Sequence, residues 1–173
     1  MNHNIDFIIT DNIIAGITDT AYKMNLLNKD VLSNITELDN SVRDTCLALY
    51  SMINNEHSRT DWNSYGYFFI CAGMYTAECF INHIKTPSAE DIYDAVNKEC
   101  IFQFTDIEAG SEKHYDFINN TNTLFTVARN LITENIQMLS PYDETIAERH
   151  SEYITFASAI LMFRLGTAIR LQI

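Results

Sequence analysis

Sixteen consecutive residues, Trp62 to Ala77, carry no charge in a chain of 173 residues whose formal net charge is −12. The run contains Tyr65, Tyr67, Phe68, Phe69, Ile70, Met74 and Tyr75, so as a helix it is apolar on every side. Such a helix either crosses a bilayer or forms the centre of a helical bundle. A span needs about twenty residues. Gly66, Ala72, Gly73 and Ala77 are small and let neighbouring helices approach closely. The run therefore predicts a buried central helix, with Asp61 as its N-cap. Five glycines and two prolines are too few turn residues for an all-β chain of this length. The 47% apolar content rules out a disordered acidic tail. Eleven basic against 23 acidic residues argue against a nucleic-acid partner, because phosphate binding needs clustered Lys and Arg.

Apolar periodicity lays out further helices around that centre. Ile5, Ile9, Ile13 and Ile17 recur every four residues in a first helix over 5–24. A short helical stretch over 30–39 follows. Ser41 reads as the N-cap of a helix whose one face is Val42, Cys46, Leu49, Tyr50 and Ile53, ending near Asn54 and Asn55. Thr86-Pro87 predicts another start, with Thr86 as N-cap and proline at N1, for a helix ending near Asp106. Ala109-Gly110-Ser111 is a turn. A short helix over 114–118 and a longer one over 123–139 come next, the latter stopped by Ser140-Pro141. The fold class is all-α: a helical bundle around a central apolar helix, with a C-terminal apolar helix.

That last segment, Tyr153 to Leu171, has no acidic residue. Arg164 divides its apolar run. A central arginine costs about 2.5–3.5 kcal/mol on membrane-insertion scales, less if it snorkels. Two readings fit. One is a weak tail anchor, with Tyr153, Phe156, Ile160, Leu161 and Phe163 facing lipid. The other is a last amphipathic helix packed on the bundle, with Arg164 at its solvent edge. The first divides the chain into a helical domain at 1–141, a polar linker at 142–152 and an anchor at 153–173.

No pattern that carries chemistry stands out. Cys46, Cys71, Cys79 and Cys100 form no CxxC pair, and they read as buried, reduced thiols in a cytosolic chain without a secretory signal. Cys79 and His83 sit at i, i+4 without a second ligand pair, so no metal site is expected. Glu90, Asp91 and Asp94 cluster at a helix start and read as a solvated face favoured by the helix dipole. Phosphate loops, nucleophile elbows and Glu-x-x-His pairs are missing from the sequence, so neither an enzyme nor a cofactor is expected.

Residues 61–74, Asp-Trp-Asn-Ser-Tyr-Gly-Tyr-Phe-Phe-Ile-Cys-Ala-Gly-Met, resemble the first homology region of the Bcl-2 family. There an Asn-Trp-Gly-Arg start leads into an aromatic helix with a Phe-x-x-Ala-Gly step. Trp62 matches the tryptophan, and Phe69 to Gly73 match the step. Asn63 stands at the glycine position and Ser64 at the arginine position, leaving Arg59 or Arg43 to pair with a ligand's aspartate. Ala109-Gly110-Ser111 with Tyr115 and Phe117 echoes the second homology region. Ser140 to Ile146, then Glu152-Tyr153 and the apolar tail, resemble poxvirus members of the family.

The resemblance implies a viral Bcl-2-like inhibitor of host apoptosis. Its groove would take the amphipathic death-motif helix of Bim, Bak or Bax and block permeabilisation of the mitochondrial outer membrane. The implied groove is Val42, Cys46, Leu49, Tyr50, Ile53, Trp62, Asn63, Tyr65 and Phe69, and the implied location is that membrane, through the tail, or otherwise the cytoplasm. A homodimer stays open. Two alternatives stand beside this. One is a groove-less Bcl-2-like viral protein that inhibits innate-signalling adaptors through a flat face. The other is an unrelated helical ligand-binding protein or enzyme.

Overall fold

Two helices that are apolar all round need each other, and the fold is arranged about that pair. The computed structural model describes residues 9–28, 39–56, 63–82, 87–139 and 150–172. Six α-helices and no strand occur among them: α1 (Asp11–Lys23), α2 (Asp39–Glu56), α3 (Asn63–Ile81), α4 (Ala89–Asn97), α5 (Glu112–Leu139) and α6 (His150–Leu171). A single 3₁₀ turn, Cys100–Gln103, follows α4.

The largest contact among the described helices is between α3 and α6. Its centre is two glycines. A Cβ on Gly73 would lie 2.1 Å from the Phe163 carbonyl oxygen, and one on Gly166 would lie 2.1 Å from that of Ile70. The two backbones therefore touch, as only glycine permits. Away from this crossing the partners advance together along the two chains: Phe69 and Phe156 share Tyr50, and further on Glu78 pairs with Arg170. The helices accordingly run in the same direction. Every residue from Ile154 to Ile169 is buried. Three buried hydroxyls on this pair return to their own helices: Thr76 donates to the Ala72 carbonyl at 2.8 Å, Ser158 to Ile154 at 2.6 Å and Thr167 to Arg164 at 2.6 Å. Polar atoms so satisfied can be buried at little cost.

The other helices cover this pair. α5 packs on both members. Gly66 of α3 makes the approach, with its missing Cβ 2.5 Å from the Thr121 carbonyl. α1 lies on α5, α4 on α3, and α2 packs against α6 and α4. Phe69, Phe156 and Phe163 are among the largest fully buried side chains, each contributing about 1.5–3 kcal/mol of burial.

Local rules explain several boundaries that the periodicity misses. Thr10 caps α1, accepting from the Ile13 N–H at 3.4 Å, so this helix begins at Asp11; positions 5–8 of the expected helix lie outside the described residues. α2 begins at Asp39, placing Ser41 inside it; the expected stretch over 30–38 lies outside the described residues. α3 continues past Ala77 to Ile81. Ser88 caps α4 in a reciprocal capping box with Asp91, whereas the sequence points to Thr86, which is outside the described residues. α4 stops at Asn97, because Glu99 takes a left-handed conformation (φ 57°) before the 3₁₀ turn. The two helices expected over 114–118 and 123–139 are one of 28 residues. The polar run Asn119, Asn120, Asn122 and Thr123 reads as a break, yet the buried positions Phe117, Thr121, Leu124 and Phe125 keep helical spacing through it.

Gly73→Ala gives a test whose sign is informative. Helix propensity alone favours alanine by about 1 kcal/mol; the contact with Phe163 reverses this, and urea unfolding should show a loss of about 1–3 kcal/mol or more. A chain ending at residue 149 removes half of the central pair and should show no cooperative thermal transition by circular dichroism.

Candidate functional site

The face named from the sequence as a groove is present, and it is covered. Cys46, Leu49 and Ile53 of α2 are 1%, 0% and 5% exposed, and Phe69 of α3 is 0% exposed. α2 places these residues on one side by ordinary helical spacing. Tyr50 sits between α3 and α6, with its ring centroid 6.4 Å from Phe69 and 5.2 Å from Phe156. Tyr65 packs at 5.9 Å on Phe69 and 6.1 Å on Phe125. The structure thus brings Cys46, Leu49, Tyr50, Ile53, Tyr65 and Phe69 into one continuous core. Val42 lies in α2 and Asn63 starts α3, but their side chains are outside the described set; Trp62 is outside it altogether.

α6 and α4 cover this face. Phe156, Ile160, Leu161 and Phe163, named from the sequence as lipid-facing, are buried in the bundle, and 89% of the window Ile154–Leu171 is buried. That window is long and apolar enough to cross a membrane, but the core helix of a bundle satisfies the same composition. Tyr153 belongs to α6, with its side chain outside the described set. Arg164, expected at a solvent edge, is 4% exposed and close enough to Cys46 to oppose the upward push that burial gives its thiol. Arg170 pairs with Glu78 and lies 5.4 Å from the Phe104 ring centroid, pinning the end of α6 to α3.

One polar cluster was not legible as such in the sequence. His114, 9% exposed, accepts at Nδ1 from the Gly110 N–H at 2.9 Å. Its proton is therefore on Nε2, 3.1 Å from the Tyr67 hydroxyl. Cys71 lies one turn along α3 from Tyr67, and Phe102 packs edge-on at 4.7 Å from the imidazole. Ser111 caps α5, accepting from the His114 N–H at 3.2 Å. Gly110, at φ 79°, supplies the turn. The cluster ties the 100–111 connection to the central helix.

It is a clamp rather than a nucleophilic dyad, because burial holds the Cys71 thiol and the Tyr67 phenol in their protonated forms. All four cysteines are free, and only Cys100 is partly exposed. Among the described residues no three His, Cys, Asp or Glu side chains group as a metal site; His83 lies outside those residues. Glu90, Asp91 and Asp94 are exposed, as a solvated face requires.

No family model, no curated protein and no solved structure matches this chain. Its site is accordingly read from geometry and from the residues themselves.

Two measurements check the clamp and the thiols. His114→Ala leaves the Gly110 N–H and the Tyr67 hydroxyl without their partner and should cost about 1–3 kcal/mol in urea unfolding. With a thiol reagent on the folded protein, Cys100 should react first, and Cys46, Cys71 and Cys79 only as the protein unfolds.

Proposed function

We propose that this chain is a Bcl-2-like viral protein that acts by binding host proteins through its outer surface, with its helix-binding groove closed. The observation that carries this is the burial of Leu49, Ile53 and Phe69, with Tyr50 against Phe156 of α6. A death-motif helix would need that surface, and α6 and α4 already occupy it. The apolar tail is the feature that argues against a soluble, adaptor-binding member of the family; an α6 packed in the core removes that objection. The resemblance of residues 61–74 supports the family reading, since they lead into a helix of the central pair. On this reading the host targets are innate-signalling adaptors and the protein works without catalysis.

The second reading is sequestration of Bim, Bak or Bax, favoured by Trp62 and the Phe69–Gly73 step. It requires α2 to part from α6, and mitochondrial anchoring would further require α6 to leave the core.

Calorimetric titration of the full chain with a Bim death-motif peptide separates the two. The closed-face reading expects no binding at micromolar concentrations, together with suppression of an innate-signalling reporter in transfected cells. Submicromolar binding would instead establish sequestration.

A further inference from the structure

Away from the covered face, a cavity of about 320 Å³ opens where the end of α1, the 105–107 connection, the start of α5 and the end of α6 meet. Its floor is apolar. Met74 of α3, Ile107, Phe117 of α5 and Ile169 of α6 line it, each less than a tenth exposed. Met24, half-buried, lines the cavity at the end of α1, and its flexible thioether can adapt to a guest.

The rim is polar and has been fixed in place. Asn25 sits in a left-handed conformation (φ 61°) and donates to the Tyr22 carbonyl at 3.0 Å, turning the chain out of α1. The Gln172 side chain then bridges to that turn, donating to the Leu26 carbonyl at 2.6 Å and accepting from the Asn28 N–H at 2.6 Å. The ends of α1 and α6 are thereby held at one distance.

The charges on the rim do not cancel. Lys113 pairs with Asp106 and holds its carboxyl below the ordinary range. That leaves Asp116, exposed on α5 and without an ion pair among the described residues, with Asn120 one turn further along the same helix. The lining thus offers two carboxylates to one ammonium, in a chain of net charge −12.

We propose that this cavity binds a small organic monocation, an arylalkyl- or alkylammonium compound, with its apolar body on the Met74–Phe117–Ile169 floor and its ammonium at Asp116. Size agrees, since a benzene ring occupies a cavity of about 150 Å³, so that about 320 Å³ accommodates a ring with a short charged chain. Apolar pockets with a few convergent polar groups are the usual form of a small-molecule site.

The test uses the full chain and three probes of one shape: 3-phenylpropylammonium, 3-phenylpropanol and 3-phenylpropanoate, followed by two-dimensional amide NMR. The ammonium should bind at least tenfold more tightly than the alcohol, and the carboxylate least. Asp116→Asn should bring the ammonium to the alcohol's Kd and leave the alcohol unchanged. Met24→Trp should fill the cavity and abolish both. The proposal is overturned if millimolar ammonium shifts no resonances of residues lining the cavity. It is overturned equally if the carboxylate binds as well as the ammonium, or if Asp116→Asn leaves the order of the probes unaltered.

Discussion

At the crossing of α3 and α6 the carbonyl of Phe163 lies where a side chain on residue 73 would begin, and the carbonyl of Ile70 lies where one on residue 166 would begin. Much of the architecture follows from that reciprocal contact. Two backbones this close leave no room for a groove between them. They also bring the aromatic residues of both helices into one layer, onto which α2 closes with Tyr50. α5 then has a broad surface to cover, and Gly66 repeats the same device against Thr121. Small residues thus set the distances, and large ones fill what those distances leave.

The helices themselves were largely legible. An uncharged run apolar on every side belongs in a bilayer or at the centre of a bundle, and Phe69 to Met74 of α3 are buried in the bundle. The apolar face of α2 was equally plain, since Cys46, Leu49, Tyr50 and Ile53 follow helical spacing. Periodicity reports which face is apolar and is silent about what lies on it. A face waiting for a partner's helix and a face covered by the chain's own helix carry the same residues. The same degeneracy affects α6: hydrocarbon and a protein core select similar side chains, and Arg164 was compatible with either. Distances were the missing information, and they come from Gly73 and Gly166, whose small size was visible but whose mutual pairing was not.

Other features were hidden for a different reason. The α5 helix reads as two because Asn119, Asn120 and Asn122 have low helix propensity, while the burial of Thr121, Leu124 and Phe125 overrides it. The His114 cluster joins residues 67, 110 and 114, a combination that no local spacing announces. Both are tertiary effects: each residue's role depends on a neighbour far away in the chain.

The direct pairing of α3 with α6 has a consequence for how this protein is made. Glu78 and Arg170, which tie these helices together, are 92 residues apart in the chain. At translation rates of about 5–20 residues per second, α3 waits roughly 5–18 s on the ribosome for the helix that will cover it. During that interval α4 and α5 are made and can pack on α3, while the side that α6 will cover stays without its partner.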